Sequence, residues 1–88
     1  MATKLKRIKK ILDSPWKVAY ADLVAVLVDF GYLGERPKGG SSHETFRKEG
    51  QSPITVPYRR PYVGEHYVRS VIEILGLEKY YEEQSDPE

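Results

Sequence analysis

The sequence predicts an α+β domain in which helices cover one face of a small antiparallel sheet. Three observations lead there. Apolar residues recur at helical spacing near both ends of the chain, the helical period disappears between Tyr32 and Tyr58, and two turn signals, Gly39-Gly40 and Glu49-Gly50-Gln51, divide that middle stretch. Eighty-eight residues, 40% hydrophobic and 31% charged, make one small globular domain without room for a second.

In chain order, Leu5, Ile8, Ile11 and Leu12 mark a short basic helix that Ser14-Pro15 stops, because proline disfavours helix in the residue before it. A second helix runs from about Tyr20 to Phe30 on the stripe Leu23, Val26, Leu27, Phe30, and Gly31 follows as its C′ residue. Val24 and Val28 form a second apolar edge, read as wider core or as a patch for a partner. Strands are expected over about Tyr32–Lys38, Ser42–Lys48 and Ser52–Pro57, paired as an antiparallel meander because both turns are short. Pro53 and Pro57 bracket the last strand, which suits a sheet edge. After a loop over Pro61–Glu65, Val68, Val71, Ile72 and Leu75 form the stripe of a closing helix. Gly76 ends it, and Leu77 is placed for a Schellman contact. Residues 78–84 are expected to add one acidic turn, and residues 85–88 to fray. The expected core is Leu23, Leu27, Phe30, Phe46, Ile54, Val56, Val71, Ile72 and Leu75.

The net charge of +1 hides a polarity along the chain. Residues 1–12 carry +5, residues 13–34 carry −2, residues 35–72 carry +3 and residues 73–88 carry −5. A basic middle suits a polyanionic partner, and the plainer reading makes both charged ends solvated helix faces. The absence of cysteine excludes disulfides and thiolate-bound zinc. The two histidines, His43 and His66, with scattered carboxylates make no recognisable metal shell, so neither metal nor cofactor is expected. No secretory signal is visible, and the longest apolar run, Leu23–Val28, is too short to span a bilayer, so a cytoplasmic location is expected.

The chemistry concentrates at His43. Phe46 is the large apolar residue of the middle strand and should face the helices. Side chains alternate, so His43, Thr45 and Arg47 share the open face, while Glu44 shares the parity of Phe46 and is expected at the sheet margin, in reach of water. The turn before His43 holds Gly40, Ser41 and Ser42, whose N–H and hydroxyl groups suit a phosphate, with Lys38 and Arg47 as cations. An imidazole, with an ordinary pKa of about 6.5, exchanges protons near neutrality. Together these are the parts for cleaving an RNA phosphodiester: a base for the 2′-OH, an acid for the leaving oxygen, and cations for the charge on phosphorus. A lone exposed histidine is also a common surface residue. His66, beside Glu65, reads either as a second proton-transfer group or as a helix-start residue packed on Tyr62 or Tyr67. Tyr58, Arg59, Arg60, Tyr62, Tyr67 and Arg69 interleave aromatics with cations, which suits single-stranded RNA and equally a protein interface.

The segment Lys38-Gly39-Gly40-Ser41-Ser42-His43 resembles the K-G-S-x-H signature of the HicA-type (YcfA-like) mRNA interferase toxins. Asp22-Leu23, Val26-Leu27 and Phe30-Gly31-Tyr32 are similar to that family's D-L-x-x-L-L-x-x-x-G-F ending. Ile54-Thr55-Val56-Pro57 is similar to its V-T-V-P strand, and Tyr67–Leu77 to its closing helix. The resemblance covers residues 20–77, leaving 1–19 as a basic N-terminal extension and 78–88 as an acidic tail. It implies a double-stranded-RNA-binding-domain-like α-β-β-β-α sandwich with an extra N-terminal helix. It also implies a toxin that cleaves mRNA without the ribosome, using one histidine, here His43, and a HicB-type antitoxin covering the active face. The other class of function is a non-catalytic RNA-binding module of the same fold. Glu44 departs from the apolar residue that many members carry after the histidine; a carboxylate there could hold the imidazole or repel RNA.

Overall fold

The computed structural model describes residues 3–35 and 43–85, with the side chains of residues 35 and 85 excluded. Seven elements follow in the order α1 (Thr3–Asp13), α2 (Tyr20–Asp29), β1 (Leu33–Glu35), β2 (His43–Arg47), β3 (Ile54–Pro57), α3 (Glu65–Leu75) and α4 (Leu77–Ser85). The sheet has the order β1-β2-β3 and both pairings are antiparallel. Among the described residues the architecture is therefore α+β, with four helices and one three-stranded meander. No helix among the described residues is long and apolar enough to cross a membrane.

Local chemistry accounts for the element ends. At the end of α2, Gly31 takes φ +94°, the Gly31 N–H donates to the Val28 carbonyl at 2.9 Å, and the Tyr32 N–H donates to the Leu27 carbonyl at 3.0 Å. This is the Schellman pattern, and only glycine adopts that φ without a steric cost. It turns Tyr32 into the core and starts β1. The β2–β3 turn closes through the Gln51 N–H on the Lys48 carbonyl at 3.0 Å.

The helices bury one face of the sheet. Along β2 and β3 burial alternates, with Phe46, Ile54 and Val56 buried and His43, Arg47 and Thr55 exposed. Phe46 is 1% exposed. Beneath it lie Leu23, Val26 and Leu27 of α2, Val68 and Val71 of α3, and Leu77 of α4. Phe30, Ile72 and Leu75, expected at the centre, are partly buried against this cluster instead. The two valines of α2 divide: Val24 packs against the core and Val28 is exposed.

The structure revises the two ends of the chain. Residues 1–19, set apart in sequence as an extension, bring Ile8, Ile11 and Val18 fully into the core. The expected single turn after residue 77 is a nine-residue helix whose Leu77, Tyr80 and Tyr81 face the core. Its tyrosines count as polar in a hydropathy reading, yet each buries a large ring. The oppositely charged ends lie against each other: α1 packs on α4 and on α2. Arg7 pairs with Asp29 at 3.1 Å, Lys10 with Asp22 at 3.1 Å and Lys9 with Asp13 at 2.7 Å. Lys4 Nζ lies 4.5 Å from the Phe30 ring centroid and 5.0 Å from that of Tyr80, while those two rings meet edge-to-face.

This arrangement makes α1 part of the domain. Ile11→Ala should lower the unfolding free energy by about 2–5 kcal/mol, a large share of the ~5–15 kcal/mol typical of a domain. Urea unfolding measures it. A loss no larger than that of an exposed α1 substitution such as Lys6→Ala would return residues 1–19 to the status of an appendage.

Candidate functional site

His43 opens β2 directly opposite Pro57, Thr45 faces Thr55 on one side and Glu35 on the other, and Arg47 faces Leu33. With Phe46 buried, alternation places His43, Thr45, Arg47, Thr55 and Leu33 on the face away from the helices. His43 and Arg47 are exposed and Thr45 is half-buried. The Thr45 and Thr55 hydroxyls share a hydrogen bond at 3.2 Å. Leu33, 70% exposed, ends this face beside Arg47.

Strand geometry separates the two charge-bearing residues. Four steps of about 3.3 Å put the backbones of His43 and Arg47 roughly 13 Å apart, pointing the same way. One phosphate cannot meet both without a large bend of the arginine. Arg47 and His43 thus occupy separate positions along the face. Lys38, Gly40, Ser41 and Ser42 lie outside the described residues.

Glu44 is where the structure adds most to the sequence reading. Its side chain points to the helix side, half-buried, and accepts a hydrogen bond from the Tyr20 hydroxyl at 2.5 Å. Its carboxylate therefore meets a phenol at the first residue of α2 while staying partly exposed. Gly34 leaves the space: a Cβ there would stand 2.5 Å from Glu44 Oε2 and 2.8 Å from Phe46 Cε2. Two consecutive residues of β2 thus direct opposite chemistry to opposite faces. The sequence held the clue in the shared parity of Glu44 and Phe46, but not in the tyrosine 24 positions earlier that receives the carboxylate.

The aromatic and cationic residues that follow β3 fall into separate sets. Arg69 is tied to Glu65 at 2.7 Å on the surface of α3. His66 stacks on Tyr67, with centroids 4.0 Å apart, which matches its reading as a packed helix-start residue. Tyr58 meets the Tyr20 ring edge-to-face at 5.0 Å, and Arg60 Nε donates to the Tyr58 hydroxyl at 2.5 Å. That bond holds the Arg60 guanidinium above its ordinary pKa. The Val63 N–H donates to the Val18 carbonyl at 2.8 Å and anchors the loop that carries these residues.

Among the described residues, no three His, Asp or Glu side chains converge as a metal's ligands would. A groove between the end of α1 and the α3–α4 bend, lined by Leu12, Pro15, Arg69, Ile72 and Gly76 among others, takes in Arg69 but neither histidine nor any residue of the open sheet face. The residues themselves define the class: an α+β domain that presents a histidine on the uncovered face of a three-stranded sheet. Set against protein-family models, curated proteins and solved structures, the chain matches none of them.

The Tyr20–Glu44 bond should be measurable as a coupling. Tyr20→Phe leaves a half-buried carboxylate without its donor, and the expected cost is about 1–3 kcal/mol. In a double-mutant cycle with Glu44→Leu the two effects should fall short of additivity by about 1 kcal/mol. Additive effects would mean that the bond contributes nothing beyond its parts.

Proposed function

We propose that the protein is an endoribonuclease in which His43 moves the proton of the reaction. It acts as a HicA-type toxin on mRNA in the cytoplasm and is restrained by a HicB-type antitoxin that covers the same sheet face. The observation that carries this reading is the place of His43: exposed, at the first residue of the central strand, on the face the helices leave uncovered, directly after the Gly40-Ser41-Ser42 segment. The order of elements from α2 to α3 is α-β-β-β-α, which supports a double-stranded-RNA-binding-domain-like fold; α1 and α4 are additions to it. Here the resemblance rests on the motifs alone.

In this reading the His43 imidazole takes the proton of the ribose 2′-OH, the 2′-oxygen attacks the adjacent phosphorus, the P–O5′ bond breaks, and the 5′-oxygen leaves with a proton drawn from water. Lys38, Gly40, Ser41 and Ser42 bind phosphate beside it, while Thr45 and Arg47 hold the strand further along the face. The mechanism assigns no role to a metal or cofactor. One observation favours a second reading. Among the described residues of the open face, His43 is the one group of a type that titrates near neutrality, and general acid–base cleavage commonly divides its two proton transfers between two groups. A non-catalytic RNA-binding module needs only one face, Arg47 and the aromatics.

His43→Ala should abolish RNA cleavage and growth arrest on induced expression, a rate loss of about 10²–10⁴. Its unfolding midpoint should stay unchanged, because an exposed strand residue carries little packing energy. The products should be a 2′,3′-cyclic phosphate and a 5′-hydroxyl, read by mass spectrometry, and DNA should survive. Cleavage of DNA at the same rate, or full activity in His43→Ala, would leave the binding module as the reading. Arg47→Ala should weaken RNA binding and reduce the slope of log K against log[salt] by about one. An unchanged slope would remove Arg47 from the phosphate-binding set.

A further inference from the structure

Tyr58 follows Pro57, and Pro57 lies directly across the ladder from His43. The tyrosine ring therefore stands at the same end of the sheet as the histidine, one residue past its cross-strand neighbour, and its contact with Tyr20 puts it at the helix-side margin, around the sheet edge from the open face. The ring is held from two sides. Tyr20 meets it edge-to-face at an interplanar angle of 78°, and Arg60 both bonds its hydroxyl and sets its guanidinium carbon 5.7 Å from the ring centroid. Even so, 44% of the residue is open to solvent. The Tyr20 contact by itself keeps the exposed ring in orientation for a planar ligand, so little freedom of the ring is lost on stacking.

The charge around it specifies the ligand further. Neither Arg59 nor Arg60 forms an ion pair among the described residues. Two acids of the neighbouring elements are occupied, Glu44 by the Tyr20 hydroxyl and Glu65 by Arg69. The other large exposed hydrophobics belong to other places: Trp16 to the α1–α2 loop, Val28 to α2, Ile74 to α3, and Leu33 to the far end of the open face beside Arg47. A protein-binding centre would gather such groups around the tyrosine. Among the described residues, an open ring with two arginines outside any ion pair and no other large exposed hydrophobic beside it matches a base with its flanking phosphates.

We propose that Tyr58 and Arg60 form a subsite for a single-stranded nucleotide next to the one cleaved at His43, with the base stacked on the tyrosine and Arg59 and Arg60 on the backbone. The inference rests on the ribonuclease reading for the role of the subsite and on the geometry above for its existence. Stacking needs an unpaired base, so the subsite selects single strands over duplex. Binding a base requires Arg60 to slide from above the ring toward a phosphate, with its bond to the phenol given up.

The test uses the full chain and a short single-stranded 2′-O-methyl oligonucleotide, which cannot be cut through a 2′-OH. Wild-type protein should bind it more tightly than the same sequence in a duplex. Tyr58→Leu should weaken binding about 5- to 150-fold, the range for loss of one stacked base. Tyr58→Phe, which keeps the ring and loses only the Arg60 bond, should stay within about twofold of wild type. Thermal midpoints of both variants check the fold. Equal losses in Tyr58→Leu and Tyr58→Phe would assign the ring a structural role through Arg60 and overturn the subsite. Wild-type affinity in Tyr58→Leu, or no binding by wild-type protein, would overturn it as well. In each of these cases His43-dependent cleavage of RNA still decides the ribonuclease reading separately. If Tyr58→Leu bound the oligonucleotide as wild type but lost a protein partner, the surface would be a protein interface instead.

Discussion

Phe46 is the large apolar side chain of the central strand, and burying it against α2, α3 and α4 fixes which way every other residue of β2 points. The pleat has a period of two, so a slip of one residue would bury His43 and Arg47 and expose the ring. That alternative puts an imidazole and a guanidinium into an apolar layer where, among the described residues, no polar or charged side chain is buried. The position of the candidate histidine is thus a by-product of packing energy. What reaches the open face is what the core refuses.

The helix layer keeps the sheet one-sided and also absorbs the charge polarity of the chain. Four of the five basic residues of α1 have partners: three in carboxylates and Lys4 over two rings. Exposed ion pairs contribute only ~0–1 kcal/mol each, so they do not hold α1 in place; Ile8 and Ile11 do that. Their effect is on the field. With three of these cations matched by carboxylates of α1 and α2, the unmatched positive charge of the sequence falls mainly in residues 35–72, the segment that carries the sheet. An anionic partner would meet that surplus at the sheet and its loops, not at the lysine-rich first helix that the linear sequence advertises.

Much of this was legible in the residues. Gly31 after the Leu23–Phe30 stripe, and the glycine turns around a single phenylalanine, were enough for the meander and for the direction of His43. The sequence was less informative where packing is set by partners distant in the chain. Ile8 and Ile11 occur in a segment whose lysines dominate its composition, and their burial needs α4, seventy residues away, as a counter-surface. Tyr80 and Tyr81 hide an apolar helix face behind hydroxyls. The Tyr20–Glu44 bond joins a helix start to a strand interior, a contact that follows from the angle between two layers and from no local spacing.

Glu44 shows how packing and chemistry meet at this strand. A carboxylate beside a histidine proposed to meet phosphate is a problem if both face the ligand: like charges a few ångströms apart repel, and only the screening of water limits the loss. The strand solves this by alternation, since the neighbour of an outward residue points inward. Inward, the carboxylate meets a second problem, desolvation, which the Tyr20 hydroxyl and the remaining exposure at the margin relieve. The room for that solution exists because β1 places Gly34, with no side chain, opposite Phe46 and beside Glu44. The same phenol ring then braces Tyr58 edge-on. One tyrosine at the start of α2 thus keeps a negative charge off the open face and fixes the ring at the end of β3, linking the helix layer to both parts of the surface proposed to bind RNA.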